Sequence, residues 1–147
     1  SLKPSKQIVL AWSLSPCEIV ERYEELAPSL KARLTAAKAA MENGWQVRLC
    51  FEPILKVKGW QKIYADFIEH VFSVLPHEKV FDANIGTLRM NKEYFKKIQK
   101  SRVDTDLFCL PMICDSAGVV SYTDHEEMRK FVYDRLIRHL PKEKVYI

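Results

Sequence analysis

The chain has 147 residues, 48% hydrophobic and 29% charged, which is enough for one domain with a real core and an ordinary solvated surface. Twenty-three Lys and Arg against 19 Asp and Glu leave a net charge of +4, which permits a phosphate-bearing partner without arguing for one. The sequence contains no run of about 18 apolar residues, so no membrane span is expected, no signal-peptide pattern at its start, and neither GxGxxG nor GxxxxGK[ST] among its 4 glycines.

A basic lead, Ser1 to Lys6, precedes the first strand-like run, Ile8 to Ser15, which Pro16 closes. Cys17 to Leu26 reads as a short helical or turn segment, with Ile19, Val20, Tyr23 and Leu26 spaced for one face. Ser29 is a candidate N-cap for a helix carrying Leu30, Leu34, Ala37 and Met41, with Gly44 as its stop. The second strand, Val47 to Glu52, ends at Pro53. Trp60, Ile63, Tyr64, Phe67, Ile68, Val71 and Phe72 then recur at the three-four spacing of one wide apolar helix face, ended by Pro76. Such an aromatic stripe is core packing.

The third strand, Val80 to Ile85, leads through Gly86 to Arg89 and on to Asn91, a candidate cap for a helix with Tyr94, Phe95 and Ile98. Lys92, Lys96, Lys97, Lys100 and Arg102 surround that helix and read first as a solvated face. Leu107 to Ile113 is expected to be a fourth strand. Asp115 to Gly118 has turn chemistry, and Val119 to Tyr122 is β-prone, so a protruding hairpin is expected there. Asp124 with Glu127 makes a capping-box pattern for a last helix burying Met128, Phe131, Val132, Leu136 and Leu140. Val145 to Ile147 resembles the opening of another strand.

This order predicts an α/β fold of parallel βα units, either half of a TIM-like barrel or a small open sheet, with a β-hairpin before the last helix. No linker or repeat divides it, so residues 1–147 are expected to form one domain. Both architectures present functional groups at the C-terminal ends of their strands.

Strand side chains alternate faces with a period of two. One parity carries Ile8, Leu10, Trp12 and Leu14, then Val47, Leu49 and Phe51. The other carries Ser13 and Ser15, then Arg48, Cys50 and Glu52, then Asp82 and Asn84. Parallel strands covered on both faces demand almost continuous apolar runs. A face that keeps an Arg, a Glu, an Asp and serines reads instead as the lining of a ligand cavity.

Cys17, Cys50, Cys109 and Cys114 fit neither a zinc ribbon nor a disulfide framework. Cys50 and Cys109 are expected to be buried in strands, in a reducing, cytoplasmic compartment. His70, His77, His125 and His139 have no HxxH or HExxH spacing, and Ser13 and Ser15 lack the GxSxG elbow of a serine hydrolase.

Four motifs in order carry a resemblance: Trp12-Ser13-Leu14-Ser15-Pro16, Val47 to Ile54 with its Arg48 and Glu52-Pro53, Gly59-Trp60, and Gly86-Thr87-Leu88-Arg89-Met90-Asn91. With the helices between them they resemble the C-terminal half of spore photoproduct lyase-like radical S-adenosylmethionine (SAM) proteins, from about Ile8 to Ile147. The resemblance implies a partial (β/α) barrel with SAM and a [4Fe-4S] cluster at the C-terminal mouth of its strands. It implies a lyase that repairs DNA by radical reversal of a thymine dimer, or a related lyase acting on another substrate.

Carried over by position, the resemblance assigns SAM contacts to Ser13, with Ser15 beside it, and to Arg48 and Glu52. A buried ion pair bracing the barrel is the other reading of Arg48 and Glu52. The segment from Ile85 to Leu88 matches the stretch whose backbone runs near the adenine. Ser121 and Tyr122 stand where the family carries an Arg-Tyr pair that probes DNA, which makes the hairpin near Tyr122 the expected DNA contact. The family's cluster-binding cysteines, three spaced by three and then two residues, have no match here. On this reading the chain is a C-terminal fragment, inactive alone, whose partner is the missing N-terminal half. The alternative is a non-catalytic, stand-alone α/β binding or scaffold domain.

Overall fold

Alternation and helical periodicity meet in a one-sided arrangement. The computed structural model, which describes residues 3–101 and 105–147, holds a parallel sheet of β1 (Val9–Ser13), β2 (Gln46–Ile54), β3 (Val80–Thr87) and β7 (Val145–Tyr146), in the order β1-β2-β3-β7. Helix α1 (Cys17–Tyr23) follows β1, and helices α2 (Leu30–Glu42), α3 (Trp60–Val74) and α5 (His125–Leu136) share one core with the sheet. Leu34 and Met41 of α2, Tyr64, Phe67 and Ile68 of α3, and Met128, Val132 and Leu136 of α5 meet Val47, Leu49, Phe51, Ala83 and Ile85. The other parity of the sheet is only partly covered: Ala11 and Ser13 are exposed and Arg48 is half-buried, whereas Cys50 and Asp82 are buried. This is the wall of a half barrel of βα units.

Local chemistry sets the helix ends. Ser29 Oγ accepts from the Ala32 N–H at 3.3 Å and caps α2. At the other end Gly44 takes φ +83°, and the Trp45 N–H reaches back to the Ala40 carbonyl at 3.0 Å, closing the helix with a left-handed residue. Asn91 Oδ1 accepts from the Glu93 N–H at 2.8 Å and starts α4 (Lys92–Ser101).

The expected fourth parallel strand does not form. Leu107 to Leu110 turn, and only Met112–Cys114 (β5) is extended. It pairs antiparallel with β6 (Val119–Tyr122), which also pairs with β4 (Arg89–Asn91), giving a second sheet ordered β4-β6-β5. Two physical reasons account for this. Pro111 has no N–H to give a ladder, and Phe108 finds its burial edge-on against Phe95 of α4, ring centroids 5.6 Å apart. The fourth place in the parallel sheet goes to β7, whose Val145 and Tyr146 register with Ala83 and Asn84.

Two further expectations are corrected. Asp124 precedes α5 but makes no side-chain cap; its carboxylate pairs with the Lys56 ammonium from the loop after β2. Cys109 lies exposed in the turn before β5, whereas Cys50 is buried as expected; all four thiols are free. Ser1 and Arg102 lie outside the described residues.

Candidate functional site

Register builds the site. Ser13 pairs with Cys50, Cys50 with Asn84 and Asn84 with Tyr146, so four hydrogen-bonding side chains line up across the four strands at one level. One step back, Ala11, Arg48 and Asp82 form the next row. Glu52 lies on the same parity beyond Cys50. The predicted face therefore exists, and Ser13, Arg48 and Glu52 share it.

The end of β1 is anchored from behind. The Leu14 N–H donates to the Cys50 carbonyl at 2.8 Å. The Arg33 guanidinium of α2 donates to the Ser13 carbonyl at 3.1 Å and to the Pro28 carbonyl at 2.9 Å, and is itself paired with Glu24. This leaves the Ser13 hydroxyl exposed on the open face, while Ser15 is buried with its Oγ unpartnered.

Arg48 does not pair with Glu52. Its Nε donates to Asp82 Oδ1 at 2.5 Å and its other nitrogen to Oδ2 at 2.6 Å, a two-pronged pair between neighbouring strands. The Asp82 carboxylate holds the guanidinium charged, and the Arg48 side chain remains 41% exposed against 6% for Asp82. Sequence reasoning placed Asp82 on the right face but did not match it to Arg48. Burial pushes the neighbouring Cys50 thiol up, the Glu52 carboxylate adds to the rise, and Arg48 opposes it.

Glu52 is free for another task. β2 continues past the cis Glu52–Pro53 peptide to Ile54, and the Glu52 side chain lies across Gly86 of β3. A methyl group at position 86 would sit 2.8 Å from Glu52 Oε2, so the glycine permits the close approach. Beyond this contact an open cleft of about 550 Å³ is lined by Glu52, Pro53, Thr87, Leu88, Arg89, Met90, Asn91 and Val119. Thr87 and Arg89 in this lining belong to the Gly86–Asn91 motif. Two buried oxygens on β3, Asn84 Oδ1 and Thr87 Oγ1, have no partner among the described residues.

Ser121 and Tyr122 are placed differently from expectation. They lie at the inner end of β6, away from the Asp115–Gly118 turn, and both are buried; Tyr122 is 0% exposed and belongs to the main core. Its ring is therefore packing rather than a surface wedge. Among the described residues the phenol makes no hydrogen bond of good geometry; burial raises its pKa to about 12, and the nearby Lys56 N–H, too poorly placed for a full hydrogen bond, lowers it. Burial also raises Tyr64, whose oxygen accepts from the Leu55 N–H at 2.9 Å just beyond β2.

An unsatisfied Thr87 oxygen in the cleft wall, with a second on Asn84 of the same strand, suits a polar, hydrogen-bonding cofactor such as SAM. An iron-sulfur cluster does not fit: among the described residues no group of three His, Cys, Asp or Glu side chains is arranged to hold a metal. Among the same residues no helix is long and apolar enough to cross a membrane.

Comparison with known proteins agrees at the level of fold. No family model matches the sequence, and no curated protein matches it. The half barrel of parallel βα units is shared with part of a TIM-like barrel in solved structures of spore photoproduct lyase. A mutant with bound AdoMet and dinucleoside spore photoproduct superposes with a TM-score of 0.75 at 17% identity, covering 94% of this chain and 43% of the other. The lyase complexed with dinucleoside spore photoproduct gives a TM-score of 0.72 at the same identity and coverage. The chain thus spans less than half the length of these structures.

Proposed function

We propose that this chain is the C-terminal, SAM-binding part of a radical SAM lyase of the spore photoproduct lyase type. The observation that carries the reading is the aligned polar face of three successive parallel strands, together with Thr87 Oγ1, which is buried in the wall of an open cleft and, like Asn84 Oδ1 on the same strand, has no partner among the described residues. The likeness in fold to a lyase structure that holds AdoMet supports it.

The chemistry SAM supplies when bound is reductive cleavage to a carbon radical that abstracts hydrogen from substrate. This chain's residues bind, orient and exclude water. The Ser13 hydroxyl, held at its strand end by Arg33, both donates and accepts toward ribose or amino-acid groups. The Glu52 carboxylate accepts from hydroxyl or ammonium donors at the cleft wall. Ser15 and Asn84 supply further oxygens on the same strands. Arg48 is committed to Asp82 and serves by bracing the wall, with its exposed edge left for a carboxylate. Leu88 and Met90 give the cleft an apolar wall. The iron-sulfur cluster belongs to protein outside this chain, and no step is assigned to it.

A lesion in DNA is the substrate we favour, because three of the similar lyase structures hold dinucleoside spore photoproduct. With Ser121 and Tyr122 packed inward, contact there would come through the hairpin as a unit.

The test uses the complete gene product that contains this chain, loaded anaerobically with iron and sulfide, then given SAM and dithionite. Release of 5′-deoxyadenosine is expected, and calorimetry should show weaker SAM binding for Ser13→Ala and Glu52→Gln. No 5′-deoxyadenosine from a fully loaded, cysteine-bearing protein would return the chain to a non-catalytic binding or scaffold role.

A further inference from the structure

The polypeptide leaves the candidate cleft along a basic path. Arg89 lines the cleft with Glu52 and Thr87, β4 carries the chain away, and α4 begins at once with Lys92. Over its ten residues α4 has Lys92, Lys96, Lys97 and Lys100 against a single carboxylate, Glu93. At 100° per residue these lysines fall within one 140° arc. Phe95 and Ile98 face the other way, and Phe95 is buried.

Two observations separate this face from an ordinary solvated helix. First, its charge is not cancelled locally. Glu93 is drawn to Lys96, and among the described residues Lys92 and Lys97 have no carboxylate partner. Asp115, on the adjoining hairpin turn, has its Oδ1 occupied by the Ala117 and Val119 N–H groups at 2.9 and 2.8 Å. The turn is tied to the helix, because the Lys92 N–H donates to the Gly118 carbonyl at 2.9 Å. Second, two of these lysines border a groove. A hollow of about 300 Å³ between α4 and β5 is floored by Phe95, Met112, Ile113 and Val120, with Lys92 and Lys96 on its rim. Ile113 is 49% exposed on β5, an edge strand of the small sheet.

We propose that Arg89 and the lysine face of α4, with the apolar groove beside it, are a docking track for single-stranded nucleic acid. Lysines four residues apart stand about 6 Å apart along the helix, a repeat that can follow successive phosphates of an extended strand. An apolar floor beneath charged rims is what an unpaired base needs, since stacking and phosphate contact together define sequence-tolerant single-strand sites. A duplex would offer the phosphates but keep its bases from the groove. The track starts at the cleft rim, so a strand lying on it leads a nucleotide toward the open face of the sheet.

The proposal deepens the radical SAM reading by giving its substrate a seat, but its test needs neither cluster nor SAM. Failure of 5′-deoxyadenosine release would remove the chemistry and leave the track standing; failure below would do the reverse. The probe is a fluorescein-labelled oligothymidine, single-stranded or paired with its complement, titrated with the chain while anisotropy is read. Lys92→Gln with Lys97→Gln should weaken single-strand binding about tenfold and lower the slope of log affinity against log salt by about 1.4. The charge-matched control, Lys31→Gln with Lys38→Gln on the exposed side of α2, should stay within about twofold. Circular dichroism checks that α4 still forms. Equal losses in the two double variants would overturn the track, because net charge alone would then explain binding. So would equal or tighter binding of the duplex, displacement by polyglutamate as effective as by oligothymidine, or no binding at low salt.

Discussion

Arg48 and Asp82 sit opposite each other on adjacent parallel strands and are joined by two hydrogen bonds, of 2.5 and 2.6 Å. The pair is lopsided, with the carboxylate nearly buried and the guanidinium partly in water. Its two halves should therefore respond differently to mutation. Arg48→Ala strands a buried carboxylate and should cost about 2–3 kcal/mol, discounted from a fully buried pair because water reaches one side. Asp82→Ala leaves an arginine that can turn to solvent, and should cost about 1 kcal/mol. Urea unfolding of both variants decides this. Equal losses would mean that the pair is solvated as a unit.

Gly86 is expected to be needed for the room it leaves rather than for backbone freedom. A methyl group there meets Glu52 Oε2 at 2.8 Å and Glu52 Cβ at 3.3 Å. Gly86→Ala should displace the carboxylate from the cleft wall and destabilise by about 1 kcal/mol. Adding Glu52→Gly should recover most of that loss, and a double-mutant cycle measures the coupling. An uncoupled pair would show that the carboxylate rests elsewhere.

Tyr122 gives a pH signature. Its phenol titrates near 10 when unfolded and near 12 in the folded chain. The protonated form is the one the core accepts, so its contribution is whole below pH 10 and is lost as the pH rises toward 12. Tyr122→Phe should flatten that alkaline loss. Near neutrality it should be neutral or stabilising by up to about 1 kcal/mol, because among the described residues the hydroxyl it removes makes no hydrogen bond of good geometry. Thermal melts across the alkaline range test both parts. Clear destabilisation at neutral pH would reveal a hydrogen bond from the phenol.

Among the described residues the two outer strands of the parallel sheet, β1 and β7, have unpaired edges, and at the start of β1 Ile8 is 46% and Val9 36% exposed. Concentration-dependent association is expected of this chain. Val9→Lys should suppress it by placing a charge on the edge. Light scattering over a concentration series reads the result, and a monomer at every concentration would refute the expectation.

Incubated anaerobically with iron and sulfide, this chain by itself should develop no brown absorption and should release no 5′-deoxyadenosine from SAM. A stable visible chromophore with stoichiometric iron would show that its four cysteines can assemble a site after all.

Much of this protein follows from interactions that close within a turn or a strand. Ser29 and Gly44 mark the ends of α2 because a cap involves only the nearest few residues. The stripe from Trp60 to Phe72 defines α3, and the parity of Ser13, Arg48 and Glu52 defines a polar face, because both periods are properties of the backbone itself.

Other outcomes depend on partners distant in sequence. Asp82 meets Arg48 across 34 residues only because β2 and β3 adopt one register and not its neighbour. Asp124 abandons its helix cap for Lys56, 68 residues earlier, because the folded loop brings an ammonium within reach. Leu107 to Leu110 are as apolar as a strand, yet they turn, since the place beside β3 is taken by Val145 and Tyr146. Tyr122 reads as a hairpin aromatic and proves to be core, because it joins the buried cluster that the helices share with the parallel sheet. In each of these cases residues competed for one place in space, and only the assembled packing determines which contact has the lower free energy.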